Sequence, residues 1–159
     1  MELTKDMRIE VRTIEEGFEG AWFEGDILGV TAYGQHCADG QHCKIRYDGF
    51  ETEDKRPLDV ELCLHSEHVQ VRPVDGRLKI QLPQHCSAGY AVEASCNGGW
   101  WCGVIANLRT DVKEESWFVY FPDTDTVESY RRSELRPAQE WNGANWDLAP
   151  QVLFLTYIR

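Results

Sequence analysis

Residues 22–27 read WFEGDI, and residues 100–105 read WWCGVI. Both segments carry two adjacent aromatic residues, a glycine two positions later and an isoleucine two positions after that. Three further pairs of segments match in the same order: IEV at 9–11 with AVEA at 91–94, KIRYDGF at 44–50 with WFVYFPD at 117–123, and HVQVRP at 68–73 with SELRP at 133–137. Four matches in one order indicate an internal repeat.

The repeat divides the chain into modules. We expect a first module over residues 1–76, a linker at 77–84 and a second module over 85–140, with turn residues Gly76 and Pro83 at the junction. The remaining residues, 141–159, end in the apolar stretch PQVLFLTYI. That stretch is either a further strand or the start of a longer element, and we expect the extension to dock on the repeat.

The matched segments predict strands. Each is short, rich in Val, Ile, Phe, Tyr and Trp, and bounded by turn residues. In KIRY, Ile45 and Tyr47 fall on one face of a strand, and Lys44 and Arg46 fall on the other. The fold class expected is all-β, with two tandem small antiparallel β-barrels packed together. Packing two marginal cores side by side buries more apolar surface and creates a groove, and grooves bind peptides.

Composition limits the classes of partner. The net charge is −11, so phosphate backbones are repelled and nucleic-acid binding is disfavoured, whereas a basic partner is favoured. No apolar run reaches the roughly 18 residues of a membrane span. The charged N-terminus lacks the apolar centre of a signal peptide, so we expect an intracellular chain whose six cysteines are thiols rather than disulfides.

The same segments are shared with a known group of modules. GFEGAWFEGDILGV, KIRYDGFETEDKRPLDVE and VQVRP in the first repeat resemble the Agenet and SAWADEE modules of the Tudor-like superfamily. YAVEASCNGGWWCGVIA, WFVYFPDTDTVES and ELRPAQEWNGANW in the second repeat resemble an Agenet module. The resemblance covers residues 7–147 and implies a tandem Tudor-like fold. It further implies a nuclear, non-enzymatic plant chromatin protein that needs no cofactor and reads a methylated lysine on a histone tail, most plausibly that of histone H3.

A methylated ammonium group is best held by aromatic faces with an acidic residue nearby. In the first module, Tyr47 and Phe50 lie three positions apart across a turn, and Asp48 between them supplies charge. The resemblance places the third wall at Trp22 or Phe23, which point to opposite faces of a strand. We favour Phe23 for the cage and Trp22 for the core, with Phe18 as a further candidate.

The second module matches this pattern less well. By position, Trp101 and Phe121 correspond to the cage aromatics and Asp123 to the acid. The segment FPDTDTVE lacks an aromatic residue at the place of Phe50, and Pro122 alters its turn. This module therefore either forms a second cage or contacts other parts of the peptide through an acidic wall.

A second interpretation assigns all these aromatic residues to the core, since small β-barrels bury such residues. The acidic groove would then bind an unmethylated basic peptide of a partner protein, such as another chromatin protein. Dependence of affinity on methylation separates the two interpretations. A membrane partner is not expected under either.

The stretch QHCADGQHC at 35–43 raises the question of a metal or catalytic site. The six candidate zinc ligands in and near it are His36, Cys37, His42, Cys43, Cys63 and His65. Their spacing is not that of paired C-x₂-C zinc sites, so we expect a loop with spare thiols and imidazoles rather than zinc. Adjacent His and Cys on a strand face opposite ways, which argues against a catalytic pair.

Overall fold

The computed structural model describes residues 1–15, 18–31, 41–64, 66–109 and 116–151, with only the main chain at 107–109. Contacts within the chain divide it into two compact units, Met1–Arg77 and Leu78–Arg159. We describe each unit by itself, as unit 1 and unit 2.

Unit 1 is an antiparallel sheet. Its strands are β1 Arg8–Thr13, β2 Ala21–Thr31, β3 His42–Glu51, β4 Pro57–Cys63 and β5 Val69–Pro73. Consecutive strands β1 to β4 pair in sequence, and β5 returns to pair with β1, so that the order is β4-β3-β2-β1-β5. Along β3, Cys43, Ile45 and Tyr47 are buried whereas Lys44 and Arg46 between them are exposed, as the period of two predicts.

Unit 2 repeats this order. Its strands are β6 Ala91–Cys96, β7 Gly99–Arg109, β8 Ser116–Phe121, β9 Thr126–Arg131 and β10 Leu135–Pro137, with a short 3₁₀ helix at Arg132–Glu134. Their antiparallel pairing gives the order β9-β8-β7-β6-β10. The core of unit 2 is centred on Trp117, which is 1% exposed.

The two units also match in register. In unit 1, Asp26 pairs with Arg46 and Ile27 pairs with Ile45. At the equivalent positions of unit 2, Val104 pairs with Tyr120 and Ile105 pairs with Val119. A bulge follows each isoleucine, between Ile27 and Gly29 in unit 1 and between Ile105 and Asn107 in unit 2. The predicted all-β fold of two tandem antiparallel modules is confirmed, but the described strands do not close into the expected barrels. Each ladder stays open among the described strands, because no pairing joins the first and last strands of the order.

The flanking segments contribute to unit 2. Leu82, inside the stretch treated above as a linker, is 6% exposed in the core of unit 2. The Leu78 amide donates to Gln139 Oε1 at 2.9 Å, and Gln139 Nε2 donates back to the Leu78 carbonyl at 2.9 Å. After the second module, β11 Gln139–Trp141 pairs with β12 Trp146–Leu148 as a hairpin. Residues 152–159, which carry most of the predicted apolar extension, lie outside the described residues.

A glutamate–arginine ion pair recurs in both sheets, and it is fully buried in unit 1. Glu10 on β1 faces Arg72 on β5, and the guanidinium donates to Glu10 Oε2 from Nε at 2.8 Å and from Nη2 at 2.6 Å. The Arg72 guanidinium carbon also lies 3.9 Å from the Trp22 ring centroid. Glu10 and Arg72 are 1% and 3% exposed, so the ring, cation and carboxylate form a buried stack.

Unit 2 builds the same stack at the equivalent positions. Arg136 donates to Glu93 Oε1 from Nε at 3.1 Å and from Nη2 at 2.8 Å, and lies 3.9 Å from the Trp100 ring centroid. The first tryptophan of each repeated segment is therefore a packing partner of an ion-paired arginine, which is buried in unit 1 and partly exposed in unit 2.

The part of the chain that the structure describes contains no helix with the length and apolar character of a membrane span.

Candidate functional site

Four aromatic rings meet in unit 1. They are the rings of Phe18, Phe23, Tyr47 and Phe50, and the six distances between their centroids run from 5.0 to 6.5 Å. Phe23 and Tyr47 are 4% and 7% exposed, whereas Phe18 and Phe50 are half-buried. The structure thus brings together the three residues favoured from the sequence and the further candidate Phe18. We call these four rings the aromatic cluster.

Backbone geometry explains why these rings meet. Gly25 on β2 is the partner of Tyr47 on β3, and Phe23 lies two residues from Gly25 on the same face. Gly49 adopts a φ of +70°, a left-handed conformation that suits glycine, within an irregular part of the β3–β4 pairing. Between the pairs Arg46–Asp59 and Glu51–Pro57, β3 takes five steps and β4 takes two, and this irregularity lets Phe50 return to the side of Tyr47. Phe18 comes from a turn, in which its amide donates to the Glu15 carbonyl at 2.9 Å.

Three rings of the cluster stand nearly perpendicular to one another. The interplanar angles are 83° for Phe23 and Tyr47, 75° for Phe23 and Phe50, and 72° for Tyr47 and Phe50. The rings of Phe18 and Tyr47 are stacked, with an interplanar angle of 27° and a centroid distance of 6.3 Å. Edge-to-face contacts of this kind stabilise an aromatic cluster, and they also provide three walls at right angles.

Trp22 does not contribute a wall. It lies on the opposite face of β2 from Phe23, under the Arg72 guanidinium. Trp22 therefore occupies the core position that was expected for it, and Phe23 enters the aromatic cluster.

The carboxylate of Asp48 is held on the outer face of β3. Arg8 Nη1 donates to Asp48 Oδ1 at 3.0 Å, and Arg8 Nη2 forms a second, short bond to Asp48 Oδ2. Arg8 also donates to Glu24 Oε2 and Asp26 Oδ1, each at 3.0 Å. These bonds, above all those to Asp48, raise the pKa of Arg8 further above its ordinary value. Since neighbours on a strand face opposite ways, Asp48 supplies an anchor for the turn rather than a charge beside the rings.

Glu15 is the acidic side chain whose charge reaches the cluster. Burial raises the pKa of Tyr47 to about 12, and the negative charge of Glu15 adds to the rise. Sequence reasoning missed Glu15 because it precedes β2 by several residues. The local signal was present, since Glu15 lies three residues before Phe18, the spacing of a tight turn.

The shifted pKa of Tyr47 predicts a loss of stability in alkali. Between pH 10 and 12, the unfolded chain ionises Tyr47 while the folded chain keeps it neutral, so the unfolding free energy falls as pH rises, by at most about 1.4 kcal/mol per pH unit. Tyr47→Phe removes this contribution. Urea unfolding of both proteins at pH 9 and pH 11 should show the variant losing less stability; an equal loss would contradict the assignment.

In unit 2, Trp101 and Phe121 line a cavity of about 240 Å³ together with Tyr130 and Glu128. Asp123 is not among the residues that line it, and lies exposed in the turn between β8 and β9. The third aromatic residue therefore comes from β9 and not from the turn, where the sequence comparison with Phe50 led us to look for it.

The candidate zinc ligands are only partly described. His36, Cys37 and His65 lie outside the described residues. His42 and Cys43 are neighbouring buried residues of β3, and His42 is the register partner of Cys63 on β4. Burial raises the pKa of the Cys43 thiol. Over the described ranges, no three His, Cys, Asp or Glu residues cluster as a metal site would require.

Comparison with known proteins shows what the sequence of this chain is similar to. Residues 6–75 match the Agenet domain model. The DUF724 domain-containing protein 3 of Arabidopsis thaliana is 30% identical over 153 residues, which are 96% of this chain and 20% of that protein. The chain thus spans about a fifth of the length of that relative.

Two crystal structures have a similar fold. AGDP1 AGD34 of Arabidopsis thaliana superimposes with a TM-score of 0.68 at 24% identity, covering 92% of this chain and 89% of that one. The ADCP1 tandem Agenet domain 3-4 gives 0.65 at 20% identity, covering 92% and 88%. With the strand order repeated in unit 2, these matches show a fold of tandem Tudor-like modules, and the first module matches the Agenet domain model over residues 6–75.

Proposed function

We propose that unit 1 binds a methylated lysine of a basic protein tail, that of histone H3, through the aromatic cluster. The observation that carries the proposal is the convergence of Phe23, Tyr47 and Phe50 at nearly right angles, with Phe18 beside them. Three such faces surround a cation from three directions.

The chemistry of the cluster suits methylated rather than unmodified lysine. Aromatic faces attract a cation through their quadrupole and accept methyl groups on their carbon surface. Three of the four side chains are phenylalanines, which offer no hydrogen-bond acceptor. An unmodified ammonium is strongly hydrated and would leave its three N–H donors unpaired there, whereas methylation removes those donors.

Binding requires the cluster to open. The rings contact one another, so a methylated ammonium enters only when one of the half-buried rings turns aside. Phe18 is the ring we expect to move, because a turn carries it, whereas Phe23 and Tyr47 are buried strand residues. In the bound state it would form the fourth wall.

Acidic side chains around the cluster favour a basic tail. Glu15, Glu51, Glu53 and Asp54 are exposed in unit 1, and the whole chain has a net charge of −11. Charges of this kind steer a Lys- and Arg-rich segment toward the surface and raise the association rate at low salt. We therefore expect affinity to fall as salt concentration rises.

With this activity, we expect the protein to act in the nucleus, among other chromatin proteins, as a binding module without catalysis. One relative, the AGENET DOMAIN (AGD)-CONTAINING P1 protein of Arabidopsis thaliana, is 30% identical over 139 residues. Its name describes a protein that contains an Agenet domain. The experiment below tests the binding directly.

Isothermal titration with histone H3 tail peptides tests the proposal. Each peptide carries one trimethylated lysine and is compared with its unmodified form. We expect one methylated peptide to bind at least about tenfold tighter, which corresponds to about 1.4 kcal/mol. Phe50→Ala and Tyr47→Ala should remove that difference. Tyr120→Ala is the matched control, since Tyr120 bonds to Asp125 through its hydroxyl in unit 2.

Two results would contradict the proposal. If Phe50→Ala keeps the preference for the methylated peptide, the cluster is not the cage. If the wild-type chain binds methylated and unmodified peptides equally, the rings are core residues and the acidic surface binds an unmethylated basic partner.

A further inference from the structure

The cavity of unit 2 is lined by polar as well as aromatic side chains, and packing of the core alone does not explain the polar ones. It is lined by Trp101, Phe121, Tyr130, Glu128, Thr126 and Cys96. Its volume of about 240 Å³ is below the roughly 300–1,000 Å³ of a drug-sized ligand pocket, and is suited to a single side chain.

Comparison of β4 in unit 1 with β9 in unit 2 shows which strand supplies the polar side of the cavity. Ile45 pairs with Val60 in unit 1, and the equivalent Val119 pairs with Glu128 in unit 2. The same face of the fourth strand thus carries Leu58, Val60 and Leu62 in unit 1 but Thr126, Glu128 and Tyr130 in unit 2. A strand that only closed the sheet would keep the apolar residues, so the polar replacements point to a ligand.

Hydrogen bonds fix the walls of the cavity. Trp101 Nε1 donates to the Cys96 carbonyl at 2.8 Å, which orients the indole ring. The rings of Phe121 and Tyr130 meet edge to face, with centroids 5.7 Å apart. The Tyr130 hydroxyl donates to Glu128 Oε2 at 3.2 Å. Glu128 is exposed, so its carboxylate remains reachable from solvent beside an apolar, aromatic wall.

The protein itself shows what an adjoining indole and carboxylate can hold. In each unit, an arginine lies 3.9 Å from a tryptophan centroid and donates to a glutamate, as Arg72 does to Glu10 and Arg136 does to Glu93. Guanidinium groups stack on aromatic faces and form bidentate bonds with carboxylates, which an ammonium group cannot do. Trp101 and Glu128 offer the same pair of groups at the surface.

We propose that the cavity of unit 2 binds an arginine side chain of a partner peptide. The guanidinium stacks on Trp101 and donates to Glu128, while Phe121 and Tyr130 enclose its methylene stem. Trimethyl-lysine has no N–H donor for Glu128, so this site is chemically different from the aromatic cluster of unit 1. The inference does not depend on methyl-lysine binding there.

Nuclear magnetic resonance of the ¹⁵N-labelled chain tests this site. The probe is the capped peptide Gly-Gly-Arg-Gly-Gly at low ionic strength. The matched probe carries citrulline, which has nearly the shape of arginine but no charge. We expect the Trp101 indole N–H signal, assigned with Trp101→Phe, to move saturably with the arginine peptide. The expected dissociation constant is in the millimolar range, which corresponds to a binding free energy of about −4 kcal/mol.

Glu128→Gln should weaken this binding at least about fivefold, because an uncharged amide loses the charge-assisted bonds. Asp123→Asn is the control: Asp123 is an exposed acid of the same unit that does not line the cavity. Four results would each overturn the proposal. The first two are equal shifts with the citrulline peptide and equal binding by Glu128→Gln and Asp123→Asn. The others are tighter binding of a trimethyl-lysine probe at Trp101 and an indole signal that does not move. Loss of methyl-lysine binding in unit 1 would leave it standing.

Discussion

Replacing Glu10 by alanine is expected to lower the free energy of unfolding by about 3–5 kcal/mol, the cost of leaving one member of a buried ion pair without its partner. Arg72 is 3% exposed and donates two hydrogen bonds to the same carboxylate oxygen of Glu10. Its guanidinium stays under the Trp22 ring in the variant, away from water. Urea unfolding measured by tryptophan fluorescence gives the change.

A surface carboxylate provides the control. Glu24→Ala removes one of three acidic partners of Arg8, and the two side chains are 31% and 35% exposed. We expect a loss of at most about 1 kcal/mol there, because exposed ion pairs contribute little. The double variant Glu10→Met with Arg72→Met should recover much of the loss, since a well-packed apolar pair often replaces a buried ion pair without cost. Equal effects of Glu10→Ala and Glu24→Ala would contradict the interpretation.

This stack explains why the repeats end as they do. The arginine of the terminal Arg-Pro pair is Arg72 in VRP and Arg136 in LRP, and each reaches back to a glutamate on the first strand of its unit. The first tryptophan of each matched segment then covers the guanidinium. Residues about 60 positions apart in unit 1 are therefore fixed together by charge and packing. The sequence shows their recurrence but not their contact.

Local patterns predicted much of unit 1. Alternation indicated that Ile45 and Tyr47 share a face, and the YDGF turn indicated that Phe50 returns to that face. Opposite orientations of neighbouring strand residues separated Phe23 from Trp22. Each of these inferences depends on backbone geometry over a few residues, where the period of two and the freedom of glycine are reliable guides.

Other features depended on contacts that no local pattern contains. Asp48 lies next to Tyr47 of the aromatic cluster, but Arg8, 40 residues away in sequence, holds it on the outer face. Tyr130 fills the third aromatic place of unit 2 from β9, on a face where unit 1 has Leu62. Aligning the two turns alone therefore could not find it. Sheet register, which is set by the whole ladder, was needed for both.

Replacing Gly25 by alanine is the second change for which we expect a large effect. A Cβ at this position would lie 2.6 Å from the Arg46 carbonyl oxygen and 3.2 Å from its carbon, both atoms of the neighbouring backbone. Neither can turn away as a side-chain end would, so β2 and β3 must separate. Overpacking of this kind costs about 1–3 kcal/mol or more. We expect a loss in that range by urea unfolding, together with loss of the proposed methyl-lysine binding, because Phe23 and Tyr47 lie on those two strands.

Gly29 supplies the matched control on the same strand. A Cβ there meets nothing within 4 Å, so Gly29→Ala should change stability by less than about 1 kcal/mol, in either direction. Gly103→Ala repeats the test in unit 2, where the new carbon would lie 2.6 Å from Val119 Cγ1 and 2.8 Å from the Tyr120 carbonyl oxygen. If Gly25→Ala were as stable as Gly29→Ala, close strand approach would not be the reason for the repeated glycine. If both Gly25→Ala and Gly103→Ala destabilise the protein, the glycine that follows the paired aromatics in each repeat is required by packing between strands, and the ligand sites are built on that contact.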